Sequence, residues 1–188
     1  MVRTILDKKS GKAPPWCAIQ TAAYTLLDVE CEFYEEHHLY FFNGIPIPSV
    51  TEILDNLGFI DTTWFKDYNR ELGNNVHLIT HLDDIDDLEE ETVGEVEKPY
   101  LEAWRKFKRE SGFIVEQSEV PMASSKYLFA GRPDLTGYFP SGIIKRAVIE
   151  LHNDGKYKLI PHTDRQEVNI WLSALACYQW KANNLRRK

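Results

Sequence analysis

The sequence predicts a mixed α/β or α+β fold, in which a central mixed β-sheet is flanked by helices. Runs with the length and composition of strands alternate with segments whose apolar residues recur at helical spacing. The chain has 188 residues, 43% of them hydrophobic and 12% aromatic, so it is long enough to bury a substantial core. We therefore expect a single domain over residues 1–188.

In the first third of the chain, a strand is followed by two helices. The segment containing QTAAY is apolar and long enough for a helix. The second helix follows two prolines, and Ser49 or Thr51 is its predicted N-cap. The predicted elements are a strand at Val2–Leu6, a loop at Gly11–Pro15, and helices at Trp16–Leu27 and Ser49–Leu57.

The second half predicts a helix, two strands, a hairpin and a closing helix. Trp104 and Phe107 lie at helical spacing, with basic residues on the opposite side and Gly112 as the stop. Asn153-Asp154-Gly155 is a strong turn signal between two apolar runs. The elements are a helix at Pro99–Ser111, strands at Phe113–Pro121 and Tyr127–Phe139, a hairpin of Ala147–Leu151 with Tyr157–Ile160, and a helix at Arg165–Asn183.

Charge and composition exclude some classes of protein. A net charge of -7 argues against a protein that coats nucleic acid by bulk attraction, because such binding needs many Lys and Arg contacts to phosphate. A metal-holding enzyme is still allowed, because its carboxylates make the apoprotein negative. No stretch approaches the roughly 20 apolar residues of a membrane span, and the N-terminus lacks a signal-peptide pattern, so we expect a cytoplasmic protein without a membrane partner.

Much of the acidic charge lies in one run, His81 to Glu97. A solvated helix end and loop is the ordinary interpretation of such a run, and a metal-binding or partner-binding role is the alternative.

Asp7, Lys9 and Asp134 stand at the ends of apolar strands, where they can carry chemistry. Asp7 and Lys9 are two residues apart in a predicted strand, so their side chains project to the same side. Carboxylates of Asp7 and Asp134 can hold Mg²⁺ or Mn²⁺, while the Lys9 ammonium orients water or stabilises negative charge. Hydrolysis of a phosphodiester needs this combination of groups.

These segments resemble the PD-(D/E)xK superfamily of nucleases, in particular the lambda-exonuclease and RecB-like enzymes of phages and recombination systems. Pro133-Asp134 matches the PD motif, Asp7-Lys8-Lys9 the (D/E)xK motif, and Gln20 with Tyr24 the QxxxY helix. His77 in GNNVH is similar to the family's helical histidine, and IPIPSVTEIL to its N-terminal opening.

The resemblance implies a restriction-endonuclease-like core and a metal-dependent exonuclease that hydrolyses linear DNA ends in recombination or repair. Asp134, Asp7 and His77 would be metal ligands, Lys9 the catalytic lysine, and Gln20 and Tyr24 would face the site. Glu119 is a further candidate. The cofactor would be Mg²⁺ or Mn²⁺, with no iron-sulfur cluster, because the chain has three cysteines without matching spacing. A bacterial or phage-infected cell, a homo-oligomer and a single-strand annealing or recombination partner are compatible with this family.

Each of these residues also has a structural interpretation. Asp134 could simply end a strand, Asp7 and Lys9 could form an exposed ion pair, and Gln20 and Tyr24 could be ordinary helix residues. His77 and Glu119 could be partly buried polar groups. A competing D-x-K spacing, Asp154 to Lys156 after Glu150, lies on a turn, which would position metal poorly.

The order of the motifs departs from the family, in which the PD strand precedes the (D/E)xK strand and the QxxxY helix. Residues 1–30 have the character of a core segment displaced from between Gly142 and Ile144, ahead of 31–142 with the PD strand and 143–188 with the hairpin and last helix. If this segment keeps its place in the sheet, the strand of Asp7 lies between those of Asp134 and Ile149. A natural or engineered rearrangement, exchange between subunits and a residue order that is not the natural one are the three explanations.

Two other functions remain open at this stage. The chain could be a DNA-binding or assembly module that kept the fold and lost catalysis. It could also be a protein-interaction domain that uses the acidic run.

Overall fold

A computed structural model of the chain describes residues 2–4, 15–60, 67–142 and 146–185. Helices and strands are mixed along it, as the sequence predicts. In chain order the elements are β1 (Val2–Thr4), α1 (Pro15–Tyr24), β2 (Val29–Glu30), β3 (Glu32–Tyr34), β4 (Leu39–Phe42), β5 (Ile45–Ile47), α2 (Val50–Asn56), α3 (Asp67–Asp84), α4 (Lys98–Ser111), β6 (Ile114–Ser118), β7 (Met122–Ala123), β8 (Ala130–Gly131), β9 (Leu135–Tyr138), β10 (Ala147–Leu151), β11 (Tyr157–Pro161) and α5 (Gln166–Leu185).

The described residues form two compact units, each made of several chain segments. Unit 1 contains residues 2–4, 67–120, 133–142 and 146–163, and unit 2 contains residues 15–60, 121–132 and 164–185. The single nuclease domain over 1–188 stays a prediction.

Unit 1 combines two helices with two groups of strands. β1 is parallel to β10, β10 and β11 form an antiparallel hairpin, and β6 is antiparallel to β9. The apolar face of α4 packs on the strands, and Trp104 and Phe107 are fully buried there beside Ile149 and Leu151. Side chains alternate along β10, so Glu150 points to the opposite face from Ile149 and Leu151.

Unit 2 packs three helices around one apolar cluster and carries small antiparallel sheets. Ile19 and Ala23 of α1, Ile53 and Leu54 of α2, and Trp171 of α5 meet in its core. The strands β3, β4 and β5 form a meander, and β2, β7 and β8 form a second small sheet.

Two glycines allow close approaches of neighbouring segments. At Gly137 in β9, a Cβ atom would lie 2.2 Å from the carbonyl oxygen of Ile114 in β6. At Gly131, a Cβ atom would lie 2.6 Å from Cε1 of Tyr24, so the tyrosine ring packs directly on the β8 backbone. Neither position can accept a larger residue without displacement of its neighbour.

The local sequence signals fix several element ends. Ser49 Oγ accepts a hydrogen bond from the Glu52 N–H at 3.0 Å, which identifies Ser49 as the N-cap of α2. Gly112 ends α4 in the left-handed conformation, with φ of +65°. The predicted hairpin about 153–155 and the closing helix are also present, the latter as α5.

The structure differs from the predictions in several places, and the helix α3 is among the elements that were not predicted. The continuous strand predicted over Tyr127–Phe139 is two short strands, β8 and β9. The prolyl nitrogen of Pro133, which lies between them, cannot donate to a ladder. The acidic run contains two largely buried aspartates, Asp83 and Asp84, which pair with α4. The β3–β5 meander was not predicted.

Among the described residues, no helix is both long and apolar enough to cross a bilayer. The cytoplasmic location stays a prediction.

Candidate metal centre

In unit 1, three side chains from distant parts of the chain converge. His77 Nδ1 lies 3.5 Å from Glu119 Oε1 and 3.7 Å from Asp134 Oδ1. One potential ligand atom from each residue lies within 4.8 Å of the other two. The side chains are 30%, 20% and 16% exposed, in the order His77, Glu119 and Asp134, so solvent and small ions can reach them.

Strand pairing brings the two carboxylates together. Ser118 at the end of β6 is in register with Leu135 at the start of β9. Glu119 follows the first strand and Asp134 precedes the second, so antiparallel pairing leaves them side by side at one end of the ladder. The Glu119 N–H donates to the Asp134 carbonyl oxygen at 3.3 Å, which extends the ladder to these two residues.

The histidine comes from α3, which packs against α4 and β6. Val76, next to His77, is buried in the unit 1 core. The helix end is anchored by Asp83, whose Oδ1 accepts from Arg105 Nε at 2.7 Å and whose Oδ2 accepts from Lys108 Nζ at 2.8 Å. Asp84 Oδ1 accepts from Trp104 Nε1 at 2.8 Å.

This ionic network perturbs the pKa of Asp83. Burial of the carboxyl would by itself raise the pKa, but hydrogen bonds from Lys108 and Arg105 outweigh burial and lower it below its ordinary value. The ionised form of Asp83 is therefore the one that ties α3 to α4.

The backbone at Glu119 is in an unusual conformation. Its φ is +58°, in the left-handed region that residues with a side chain seldom adopt. A register shift between Val115 and Gln117 in β6 precedes it, so this strand is irregular just before the carboxylate. Such strain concentrates at functional sites, where it directs a side chain that regular geometry would point elsewhere.

The spacing of the three groups fits a shared divalent ion. Oxygen and nitrogen ligands at about 2.0–2.6 Å from one ion are separated from each other by about 3–5 Å. One imidazole and two carboxylates are a donor set for Mn²⁺ or a similar divalent metal, since carboxylates favour hard cations and imidazole favours transition metals.

Gln20 and Tyr24 belong to unit 2. They lie one turn apart on α1, and Gln20 Nε2 donates to the Tyr24 hydroxyl at 2.8 Å. Tyr24 also packs on Gly131 of the GRPD segment, a contact that the sequence did not predict.

Asp7 and Lys9 lie outside the described residues. β1 ends at Thr4, which is in register with Glu150 of β10.

The competing D-x-K residues, Asp154 and Lys156, lie on an exposed turn. Lys156 Nζ donates to Asp154 Oδ2 at 2.6 Å. This hydrogen bond lowers the pKa of Asp154, so the two residues satisfy each other as an ordinary surface pair.

Glu150 is 1% exposed, and its Oε2 lies 3.4 Å from Lys158 Nζ. It is therefore a buried carboxylate paired with a lysine across the β10–β11 hairpin.

Comparison with known proteins gives no further guide to the site. A scan against models of protein families and searches among curated proteins and solved structures find no match for this chain.

Proposed function

We propose that this protein is a divalent-metal-dependent deoxyribonuclease that hydrolyses phosphodiester bonds at the ends of linear DNA. The observation that carries the proposal is the convergence of His77 Nδ1, Glu119 Oε1 and Asp134 Oδ1 within 4.8 Å. Asp134 and His77 are two of the three metal ligands that the resemblance to PD-(D/E)xK nucleases implies. Asp7, the third, and the catalytic Lys9 remain part of the proposal.

The proposed roles follow from the chemistry of the side chains. Asp134, Glu119 and His77 would hold Mn²⁺ or Mg²⁺. When bound, such an ion neutralises phosphate charge and lowers the pKa of a coordinated water. Lys9 would orient the attacking water or stabilise the charge that develops on the phosphate. With Asp7 these would be four ligands from the chain, and a six-coordinate ion would keep its other positions for water and substrate.

The position of β1 adds support. The displaced-segment hypothesis expects the strand that leads to Asp7 between the strands of Ile149 and Asp134. Arg3 of β1 is in register with Ile149 of β10, while β9, which follows Asp134, pairs with β6 in the described part of the chain. A parallel neighbour at this place is compatible with a (D/E)xK strand that keeps its position in a nuclease core.

The direct test is metal binding together with DNA hydrolysis. Wild-type protein should bind Mn²⁺ in calorimetry and degrade end-labelled linear DNA, while covalently closed circular DNA should resist. Asp134→Asn and Glu119→Gln should abolish metal binding and reduce hydrolysis by more than the roughly 10- to 100-fold that removal of an outer-shell partner costs. Asp7→Ala and Lys9→Ala should remove hydrolysis.

Asp154→Asn is the matched control, because it removes a carboxylate from the competing D-x-K spacing on an exposed turn. This variant should bind Mn²⁺ and cleave DNA as wild type does. Wild-type protein that neither binds Mn²⁺ nor cleaves linear DNA would overturn the proposal and favour a binding module without catalysis.

A further inference from the structure

We infer that His81 and Ser118 act as positioning residues that hold Glu119 and Asp134 in the geometry needed for metal binding. The inference rests on the proposed function and concerns the same site. It starts from a hydrogen-bonded chain: His81 Nδ1 lies 2.9 Å from Ser118 Oγ, and Ser118 Oγ donates to the Asp134 carbonyl oxygen at 3.4 Å.

The two contacts are compatible with one set of donors. A serine hydroxyl has one hydrogen, so donation by Ser118 to the Asp134 carbonyl leaves the serine oxygen as an acceptor for His81. In this arrangement the tautomer of His81 that carries hydrogen on Nδ1 donates to Ser118. The two hydrogen bonds thus connect α3 with the last residue of β6, and that residue with the one that precedes β9.

These hydrogen bonds link the three parts of unit 1 that supply His77, Glu119 and Asp134. His81 lies one helical turn after His77, so the two rings project from the same side of α3. Ser118 immediately precedes Glu119, and the carbonyl group it contacts belongs to Asp134. A displacement of any one element would therefore strain a hydrogen bond to another.

The backbone conformation of Glu119 explains why these hydrogen bonds are needed. A left-handed φ of +58° persists only where the surroundings over-determine it. The Glu119 N–H bond to Asp134 holds this residue directly, and the hydrogen bonds of Ser118 hold the residue immediately before it. Hydrogen bonds to the residues that carry metal ligands orient the ligands and tune their affinity for the metal.

The test measures the affinity for Mn²⁺ alone, by calorimetry on the full chain, with thermal melting as a folding control. His81→Leu and Ser118→Ala should each weaken Mn²⁺ binding by about 10-fold or more, as loss of a hydrogen bond that positions a metal ligand does. His81→Asn keeps an N–H donor near the position of Nδ1, so it should bind within about 3-fold of wild type. The double variant His81→Leu, Ser118→Ala should bind Mn²⁺ no more weakly than the weaker single variant, because both changes interrupt the same series of hydrogen bonds.

His37→Leu, a change at an exposed histidine of unit 2, is the matched control and should leave the affinity unchanged. If His81→Leu does not fold, Ser118→Ala against Ser118→Thr, which keeps the hydroxyl, decides the question. Wild-type affinity in both His81→Leu and Ser118→Ala would overturn the positioning role while the metal centre stands. Wild-type protein that does not bind Mn²⁺ would overturn the proposed function and this inference together.

Discussion

Glu119 is the residue at which backbone strain and candidate chemistry coincide. Its carboxylate lies 3.5 Å from His77, and its φ is +58°. A glutamate in the left-handed region costs about 1–2 kcal/mol relative to the ordinary regions. A position selected for stability alone would favour glycine or asparagine, and the proposed metal binding by the carboxylate would account for a glutamate here.

The strain can be measured by comparing two variants that both lack the carboxylate. Glu119→Gly should be more stable than Glu119→Ala by about 1 kcal/mol, because only alanine has a Cβ that opposes a positive φ. Urea unfolding of the two metal-free variants gives the difference. In regular strand or helix the order is reversed, so an alanine variant that equals or exceeds the glycine variant would contradict the assigned conformation.

Among the elements, the β6–β9 pair sets the position of both carboxylates, and its close packing depends on Gly137. A Cβ there would lie 2.2 Å from Ile114 O and 2.7 Å from a ring carbon of Phe113. The neighbour that must move is backbone, which cannot yield as a flexible side chain would. The strands β6 and β9 can therefore keep this close spacing only with glycine at position 137.

Gly137→Ala should lower the free energy of unfolding by more than about 2 kcal/mol, within the range of strongly disruptive core changes. Gly73→Ala, in open space within α3, is the control, and it should raise stability by up to about 1 kcal/mol. Chemical denaturation of both variants supplies the measurement. Equal effects of the two changes would show that β6 and β9 are farther apart than described.

The α3–α4 contact has a pH dependence of definite sign. The pKa of Asp83 is lowered in the folded protein, so its stabilising effect is complete above the unfolded-state pKa of about 3.9 and is lost as pH falls through the folded-state pKa. Asp83→Asn should cost about 2 kcal/mol at pH 7, as the loss of hydrogen bonds to charged groups does.

That cost should shrink as the pH is lowered below about 4, because wild-type Asp83 then becomes protonated. Urea titrations at several pH values, for wild type and Asp83→Asn, test the sign. A stability difference that is constant from pH 7 to pH 2.5 would show that the Asp83 pairs contribute nothing in solution.

Local signals determined how well individual elements could be predicted. Ser49 and Gly112 mark helix ends through their own backbone chemistry, so α2 and the end of α4 follow from the sequence. The β3–β5 meander also had a signal, because Asn43-Gly44 is a strong two-residue hairpin turn, and both residues have positive φ. The sequence therefore carries the signal for this hairpin.

The candidate site was less predictable because it depends on pairing between distant segments. Asp134 and His77 were expected from motifs, and Glu119 only as a further candidate. The adjacency of Glu119 and Asp134 arises from the register of β6 with β9, which no local pattern encodes. His81 and Ser118 carried no prediction, since a single histidine and a single serine have no distinctive spacing.

For the whole molecule, the candidate site residues are distributed over both compact units. His77, Glu119 and Asp134 belong to unit 1, and Gln20 and Tyr24 belong to unit 2. β1, from the N-terminal segment, pairs in parallel with β10, although about three quarters of the chain separates them. A strand from the first residues beside β10 is one of the two neighbours that the displaced-segment hypothesis expects, and the hypothesis stays a prediction.

The central claim is that His77, Glu119 and Asp134 share one divalent ion, and anomalous diffraction from a crystal soaked in Mn²⁺ tests it most directly. The account predicts a manganese peak about 2.0–2.6 Å from His77 Nδ1 and from an oxygen of each carboxylate, with the Asp7 carboxylate in the same coordination sphere. A saturating soak that leaves no peak between these three side chains, or that binds manganese only elsewhere, would contradict it.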